Sequence, residues 1–192
     1  MNIPFVAAET GLPTGYDIVD SPIGRLLLTG NEQALTGLFM LDTGGHPAAL
    51  RADWIRRPGG FQRASEQLAE YFAGSRTEFE LALAPSGSPF QLAVWAELAR
   101  IPYGVTVSYG EVAAAIGKSL LASRAVGLAN GRNPISIIVP CHRVIGADGS
   151  LTGYGGGLER KEWLLKHEGA PFGVGRRGRG AASVPEAQAT LF

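Results

Sequence analysis

A single cysteine, Cys141, stands in a chain of 192 residues. One thiol forms no internal disulfide, which excludes a disulfide-stapled secreted scaffold and points to a reducing, cytoplasmic setting. The three histidines, His46, His142 and His167, are too scattered for a zinc cluster of the usual spacing, so no metal and no cofactor is expected. No apolar run approaches the roughly 20 residues of a membrane helix. The opening Met1-Asn2-Ile3-Pro4-Phe5 has neither the basic region nor the apolar core of a signal segment, so no membrane association is expected. Net charge is missing too, since 17 Lys and Arg balance 17 Asp and Glu. That balance hides an asymmetry: residues 1–87 carry six Arg against ten acids, 88–172 eight cations against six acids, and 173–192 three Arg against one Glu. Any nucleic-acid contact belongs to the second half, and its non-specific part should be modest and salt-sensitive.

What is present is a globular composition, 45% hydrophobic and 18% charged, in a chain long enough for one medium or two small domains. Runs over 25–29 and 35–41, separated by a turn at Gly30-Asn31-Glu32, read as a β-hairpin. Breakers over 43–47 place His46 in a loop, where a solvated side chain is expected. Leu68, Tyr71 and Phe72 fall at i, i+3 and i+4, which predicts a helix over 62–72. Alternation over 79–83 suggests one more strand, and Ala84-Pro85-Ser86-Gly87 reads as a linker. Residues 1–87 are therefore expected to form a small α/β scaffold domain with a short antiparallel sheet.

The second half opens with Ser88-Pro89-Phe90-Gln91, a capping box with proline at the first helical position; Phe90, Val94 and Leu98 form the expected buried face. A second capping box, Ser108-Tyr109-Gly110-Glu111, starts a helix through Ile116, and a third short helix spans 121–129. Two short helices across a glycine-containing turn form a helix-turn-helix. Ala122, Ser123, Ala125, Gly127 and Ala129 make the outer face of the third helix small, with one long cation, Arg124. Such a face suits close approach to a partner or a tight helix–helix contact, and the pattern fits both. A glycine-rich loop over 152–157 lacks the Lys-Ser/Thr of a phosphate loop and reads as backbone lying close to a ligand. A helix over 158–168 with Trp163, Leu164 and His167 inward completes a mostly helical domain over 88–172, and 173–192 reads as a flexible tail.

The only cysteine lies in Ile135-Ser136-Ile137-Ile138-Val139-Pro140-Cys141-His142-Arg143-Val144-Ile145. The β-branched run reads as a buried active-site strand that Pro140 terminates and re-aims. A lone cysteine is usually inert packing, but packing requires neither a neighbouring histidine nor an arginine. A thiol on a rigid backbone with a basic group beside it is the setting of a nucleophile.

Pro140-Cys141-His142-Arg143 resembles the active-site motif of the O6-alkylguanine-DNA alkyltransferase family. The resemblance continues from Ser88 to Pro171, through Phe90-Gln91, Tyr109-Gly110-Glu111, Ser123-Arg124-Ala125-Val126-Gly127, Asn133-Pro134 and Tyr154-Gly155-Gly156-Gly157. Gly155 and Ser136 look like the bacterial constitutive form. The resemblance implies irreversible, stoichiometric transfer of an alkyl group from O6-alkylguanine, or O4-alkylthymine, in double-stranded DNA to Cys141. It implies minor-groove binding and base flipping beforehand. His142, through a bridging water, and Glu168, 27 residues after Cys141, would activate the thiol, with Glu168 favouring a cationic imidazole. Tyr109 would protonate the leaving base, and Asn133 would tie the helix-turn-helix to the active-site strand. Ser123, Arg124, Ala125, Gly127, Ala129, Arg132 and Tyr109 would face DNA. Val144, Ser136, Tyr154, Gly155 and Gly156 would line the pocket. The chain is expected to act as a monomer, with cooperative assembly on DNA as the alternative. Two rivals share parts of the pattern: a lesion sensor without transfer, which such a cysteine argues against, and a Cys-His-acid hydrolase, which has no use for a helix-turn-helix bearing a lone arginine.

Overall fold

A computed structural model describes residues 5–6, 14–41 and 50–173. The loop over 43–47 with His46, and the expected tail beyond residue 173, lie outside the described residues. The first part is a four-stranded sheet and one helix. Strands β1 (Gly15–Val19), β2 (Leu26–Gly30), β3 (Leu35–Met40) and β4 (Ile55–Arg56) lie in the order β3-β2-β1-β4. β1, β2 and β3 pair antiparallel in sequence order, and the two-residue β4 joins β1 in parallel. The expected hairpin is β2–β3, and Asn31 shapes its turn by accepting the Gln33 and Ala34 amides on Oδ1. Every residue of β2 is buried. Helix α1 (Gln62–Phe72) occupies the expected span and contributes Leu68 and Tyr71 to the core.

The free edge of β3 receives two extended segments rather than a fifth strand. Residues 79–83 do not form the expected strand. Among the described residues their one bridge to the sheet joins Leu83 to Leu35, whose amide donates to Ala82 and whose carbonyl accepts from Ala84, both at 2.9 Å. The expected linker thus begins as covered sheet edge, with Leu83 and Ala84 buried. Further along β3, the Leu38 amide donates to Pro134 (2.8 Å) and its carbonyl accepts from Ser136 (3.1 Å). A row of unpaired edge groups invites pairing, and here the active-site stretch supplies it.

The second part holds α2 (Pro89–Leu98), β5 (Val107–Ser108), α3 (Tyr109–Ala115), α4 (Ser123–Gly131), β6 (Val144–Ile145) and α5 (Leu158–His167). Both capping boxes form as expected: Ser88 with Gln91, and Ser108 with Glu111. Val94 and Leu98 are buried, Phe90 is half-buried, and Trp95 is buried with its indole N–H donating to the Ala129 carbonyl (2.9 Å). The third helix starts later than the pattern implied, since residues Leu120–Ala122 are a 3-10 turn. One apolar core runs through both parts, from Leu26 and Tyr71 to Trp95, Val126, Ile135 and Cys141. Among the described residues no helix is long and apolar enough to cross a membrane.

Candidate active site

The stretch before Cys141 is buried as expected, but it is not a strand. Ile135 makes one bridge to Leu38, and the chain then coils. Val139 N–H donates back to Ile135 (3.0 Å), and Ile138 N–H to Ser136 (2.8 Å) around Ile137, whose φ is 70°. A β-branched residue at positive φ is a strained outlier, held only where its surroundings over-determine it. The surroundings here are a fully buried side chain and Asn133, whose Oδ1 accepts the Ile135 amide (3.0 Å) and whose Nδ2 donates to Val139 (2.7 Å). Pro140 (φ −81°, ψ 64°) then centres an inverse turn closed by Cys141 N–H on Val139 O (2.8 Å). Residues Cys141–Arg143 form a 3-10 turn, and Val144–Ile145 leave it as β6, paired in parallel with β5. Asn130, on α4, donates to the Cys141 carbonyl (3.3 Å), so the helix-turn-helix and the thiol share a hydrogen-bonded frame.

His142 is fully buried, and its Nε2 lies 2.8 Å from Glu168 Oε1. Arg143 grips the same carboxylate with Nε on Oε2 (2.8 Å) and Nη2 on Oε1 (2.9 Å), and its Nη1 donates to the Ile101 carbonyl (2.6 Å). The Gly104 amide reaches Oε2 at 3.4 Å. Burial alone would raise the Glu168 carboxyl, but the His142 and Arg143 hydrogen bonds and the Arg143 charge outweigh it. They hold it well below the usual carboxylate range. An ionised Glu168 can only accept, so Nε2 of His142 carries the hydrogen. Nδ1, buried with no partner among the described residues, is left as the acceptor. Glu168 does favour the cationic imidazole, through its hydrogen bond and its charge, but it does not prevail. Burial lowers the His142 pKa, Arg143 and Lys161 add to that, and together they outweigh Glu168.

Cys141 is 4% exposed. Burial pushes its thiol up, against the opposing pull of Asn133, the Lys161 charge and the Ser136 hydroxyl. A buried thiol does not ionise on its own, so a proton acceptor is required. Lys161, on α5, is fully buried; its Nζ donates to the carbonyls of Val144 (2.6 Å) and Thr152 (2.8 Å), and burial lowers its pKa to about 8. The Tyr154 hydroxyl is buried without a hydrogen-bond partner among the described residues, and burial and the nearby Cys141 keep it protonated. Tyr109 is half-buried, its hydroxyl 3.4 Å from both the carbonyl and the hydroxyl of Thr152. Burial keeps Tyr109 protonated as well, so it is a donor at neutral pH. Gly155 is half-buried, and buried Gly156 accepts Arg160 Nη1 at 3.2 Å. A Cβ on Gly156 would run into the Met40 sulfur of β3 and lie 2.7 Å from the Tyr154 ring.

On α4 the small residues divide. Arg124 and Ala125 are exposed, Arg132 is exposed at the helix end, and half-buried Ser123 bonds back to the Leu120 carbonyl. Gly127 lies against the Tyr109 ring, the helix–helix contact that the small-residue pattern also fitted. Ala129 does not belong to the outer face: it is 3% exposed and its carbonyl binds Trp95. Beside Arg124 the surface carries large apolar groups that the small-residue pattern does not reveal, Leu121 at 93% and Leu128 at 66% exposure. Leu128 follows Arg124 by four residues, and that spacing on one helix face was the available signal. Sequence pattern gives Arg143 no role beyond its place in the motif, and it reads Tyr71 only as part of an apolar face. A phenol in an apolar stripe, needing a buried partner, was the only hint.

Fold and site together define an α/β protein with a buried thiol–imidazole–carboxylate centre set behind a helix-turn-helix. Family models named 6-O-methylguanine DNA methyltransferase match its ribonuclease-like domain over residues 15–85 and its DNA binding domain over 89–170. The chain belongs to the 6-O-methylguanine DNA methyltransferase family. It is 55% identical to a methylated-DNA--protein-cysteine methyltransferase of Methanosarcina barkeri over 80% of this chain and 96% of that one. A protein of the same name from Mycolicibacterium paratuberculosis is 57% identical over 80% of this chain and 91% of that one. The crystal structure of Mycobacterium tuberculosis OGT in complex with DNA superposes with a TM-score of 0.76, at 54% identity, over 82% of this chain and 95% of that one.

Proposed function

We propose that this protein repairs DNA by moving an alkyl group from O6 of guanine, or O4 of thymine, to Cys141, once per molecule. One observation carries the reading: a buried thiol followed in the chain by a buried histidine, whose Nε2 is fixed by Glu168 and whose Nδ1 is an unused acceptor among the described residues. Cys141 Sγ attacks the alkyl carbon in line, the S–C bond forms, and the C–O bond breaks with its electron pair on the base. The thiol proton passes to His142 Nδ1 through a water. Guanine gains one proton as it leaves, with Tyr109 as donor, and the proton held by His142 returns to Tyr109 through water, so both residues end neutral. The thioether formed has no hydrolytic partner in the site, and the protein is consumed.

The lesion lies within the duplex stack, so the base must turn out first, at a cost of a few kcal/mol. Exposed Arg124 fills the space, and Ala125 permits the helix to press into the minor groove. Ser123, Gly127 and Arg132 support that face, with double-stranded alkylated DNA as the partner. Val144, Ser136, Tyr154, Gly155 and Gly156 surround the turned-out base. The decisive experiment is incubation with a duplex carrying O6-methylguanine, read by mass spectrometry of Cys141 peptides. A gain of one methyl group per protein is expected. Tight binding without mass gain would instead mark a lesion sensor, and repeated product release a hydrolase.

A further inference from the structure

Glu168 Oε1 takes three donors, His142 Nε2 at 2.8 Å, Arg143 Nη2 at 2.9 Å, and a third from far back in the chain. That third donor is Tyr71, whose hydroxyl lies 2.7 Å from the same oxygen across a separation of 97 residues. We infer that Tyr71, on helix α1 of the sheet-bearing part, is a positioning residue of the transfer reaction: it holds Glu168 and, through it, sets the proton affinity of His142. The inference rests on the proposed transfer and deepens it, because it makes the first part of the chain a contributor to the chemistry.

Tyr71 is fully buried, and its backbone carbonyl is held by His167 Nε2 at 2.8 Å. The His167 ring stands edge-on to Tyr71 at 5.2 Å, and Tyr103 does so at 6.1 Å. The phenol therefore has one direction to donate, onto Oε1. Burial and Glu168 keep it protonated far into the alkaline range, so it is a donor at every working pH. The other charged groups facing His142 are Arg143 and Lys161, and both oppose its protonation. Each donor on Oε1 withdraws charge from the oxygen that the imidazole sees. Removing the Tyr71 donor leaves a more basic carboxylate, and His142 then binds a proton more readily and loses its free Nδ1.

The test is the pH profile, from 5 to 9, of single-turnover methyl transfer from an O6-methylguanine duplex. Tyr71→Phe should move the acid limb to higher pH, with a loss of up to about tenfold on that limb and less than about twofold at pH 9, since one unit of pKa is one factor of ten. Site-specific replacement of Tyr71 by 3,5-difluorotyrosine keeps the ring and strengthens the donor, so the limb should move to lower pH. This second variant carries the test if the first fails to fold. Equal proportional losses at every pH, or a limb that stays put in the difluorotyrosine protein, would overturn the positioning role. If the wild-type protein gains no methyl group on Cys141, the transfer reading itself fails, which is a different outcome.

Discussion

Glu168→Gln is the substitution whose cost the structure defines most closely. The carboxylate is fully buried beneath a guanidinium only 7% exposed, and it also accepts from His142, Tyr71 and the Gly104 amide. A glutamine keeps the shape, removes the charge, and points an NH2 at groups that are themselves donors. Arg143 is left charged, buried and unpaired, and breaking such a pair costs about 3–5 kcal/mol. For a chain of this size that is a fall in Tm of about 6–20 °C. With the imidazole no longer fixed as its Nε2–H form, transfer should slow by about 10²–10⁴-fold. The pH dependence of stability should change too. The folded pKa of Glu168 is depressed, so its stabilisation is present above the ordinary glutamate value near ~4.3 and is lost as pH falls towards the lower folded value. The variant should lose that acid step. A second acid step should remain, because His142 is also depressed: stability falls as pH drops through ~6.5, where the unfolded chain takes up a proton first. Thermal unfolding from about pH 2 to pH 8 and single-turnover kinetics measure both effects. The double variant Arg143→Met with Glu168→Leu removes both charges and should regain much of the stability but none of the rate. A Glu168→Gln protein with Tm within about 2 °C of wild type would refute the buried-pair argument.

Two further predictions concern the pocket loop and the DNA face. Gly156→Ala places a methyl group against Met40, 2% exposed, and the Tyr154 ring; overpacking of about 1–3 kcal/mol should lower Tm by about 2–12 °C and slow transfer, and an unchanged Tm would show that the loop has room. Arg124→Ala should slow repair of a duplex by about 10²-fold while reaction with free O6-methylguanine changes by less than about threefold, because only the duplex must extrude its base. Arg124→Lys should recover the duplex rate in part. Full recovery, or equal losses on duplex and free base, would reduce Arg124 to a phosphate contact or a structural residue.

The elements legible in the chain are those made by near neighbours. Ser88 with Gln91 and Ser108 with Glu111 close capping boxes within four residues, and both helices begin there. The hairpin around Asn31 and the amphipathic span of α1 are equally local. The adjacency of Cys141 and His142 is read the same way, whereas Glu168, 27 residues on, is reached only through the family resemblance. The course of the chain into Cys141 could not. Ile135 to Val139 has the composition of a strand, but Asn133 and the edge of β3 supply its hydrogen bonds and Ile137 turns at positive φ. No local pattern marks Lys161, and only the fold shows that two carbonyls, in β6 and in the loop before α5, receive its ammonium group.

By itself the sequence determined where the two capped helices start, which residues carry reactive groups, and which side of α1 is apolar, because capping and periodicity act over one or two turns. The tertiary structure alone decided the state of those groups. His142 is kept neutral chiefly by burial, Glu168 is kept ionised with the help of Arg143, 25 residues away, and Ala129 is turned inward against Trp95, 34 residues away, none of which a local pattern spans. Burial sets the size of each electrostatic interaction, and burial is a property of the assembled core.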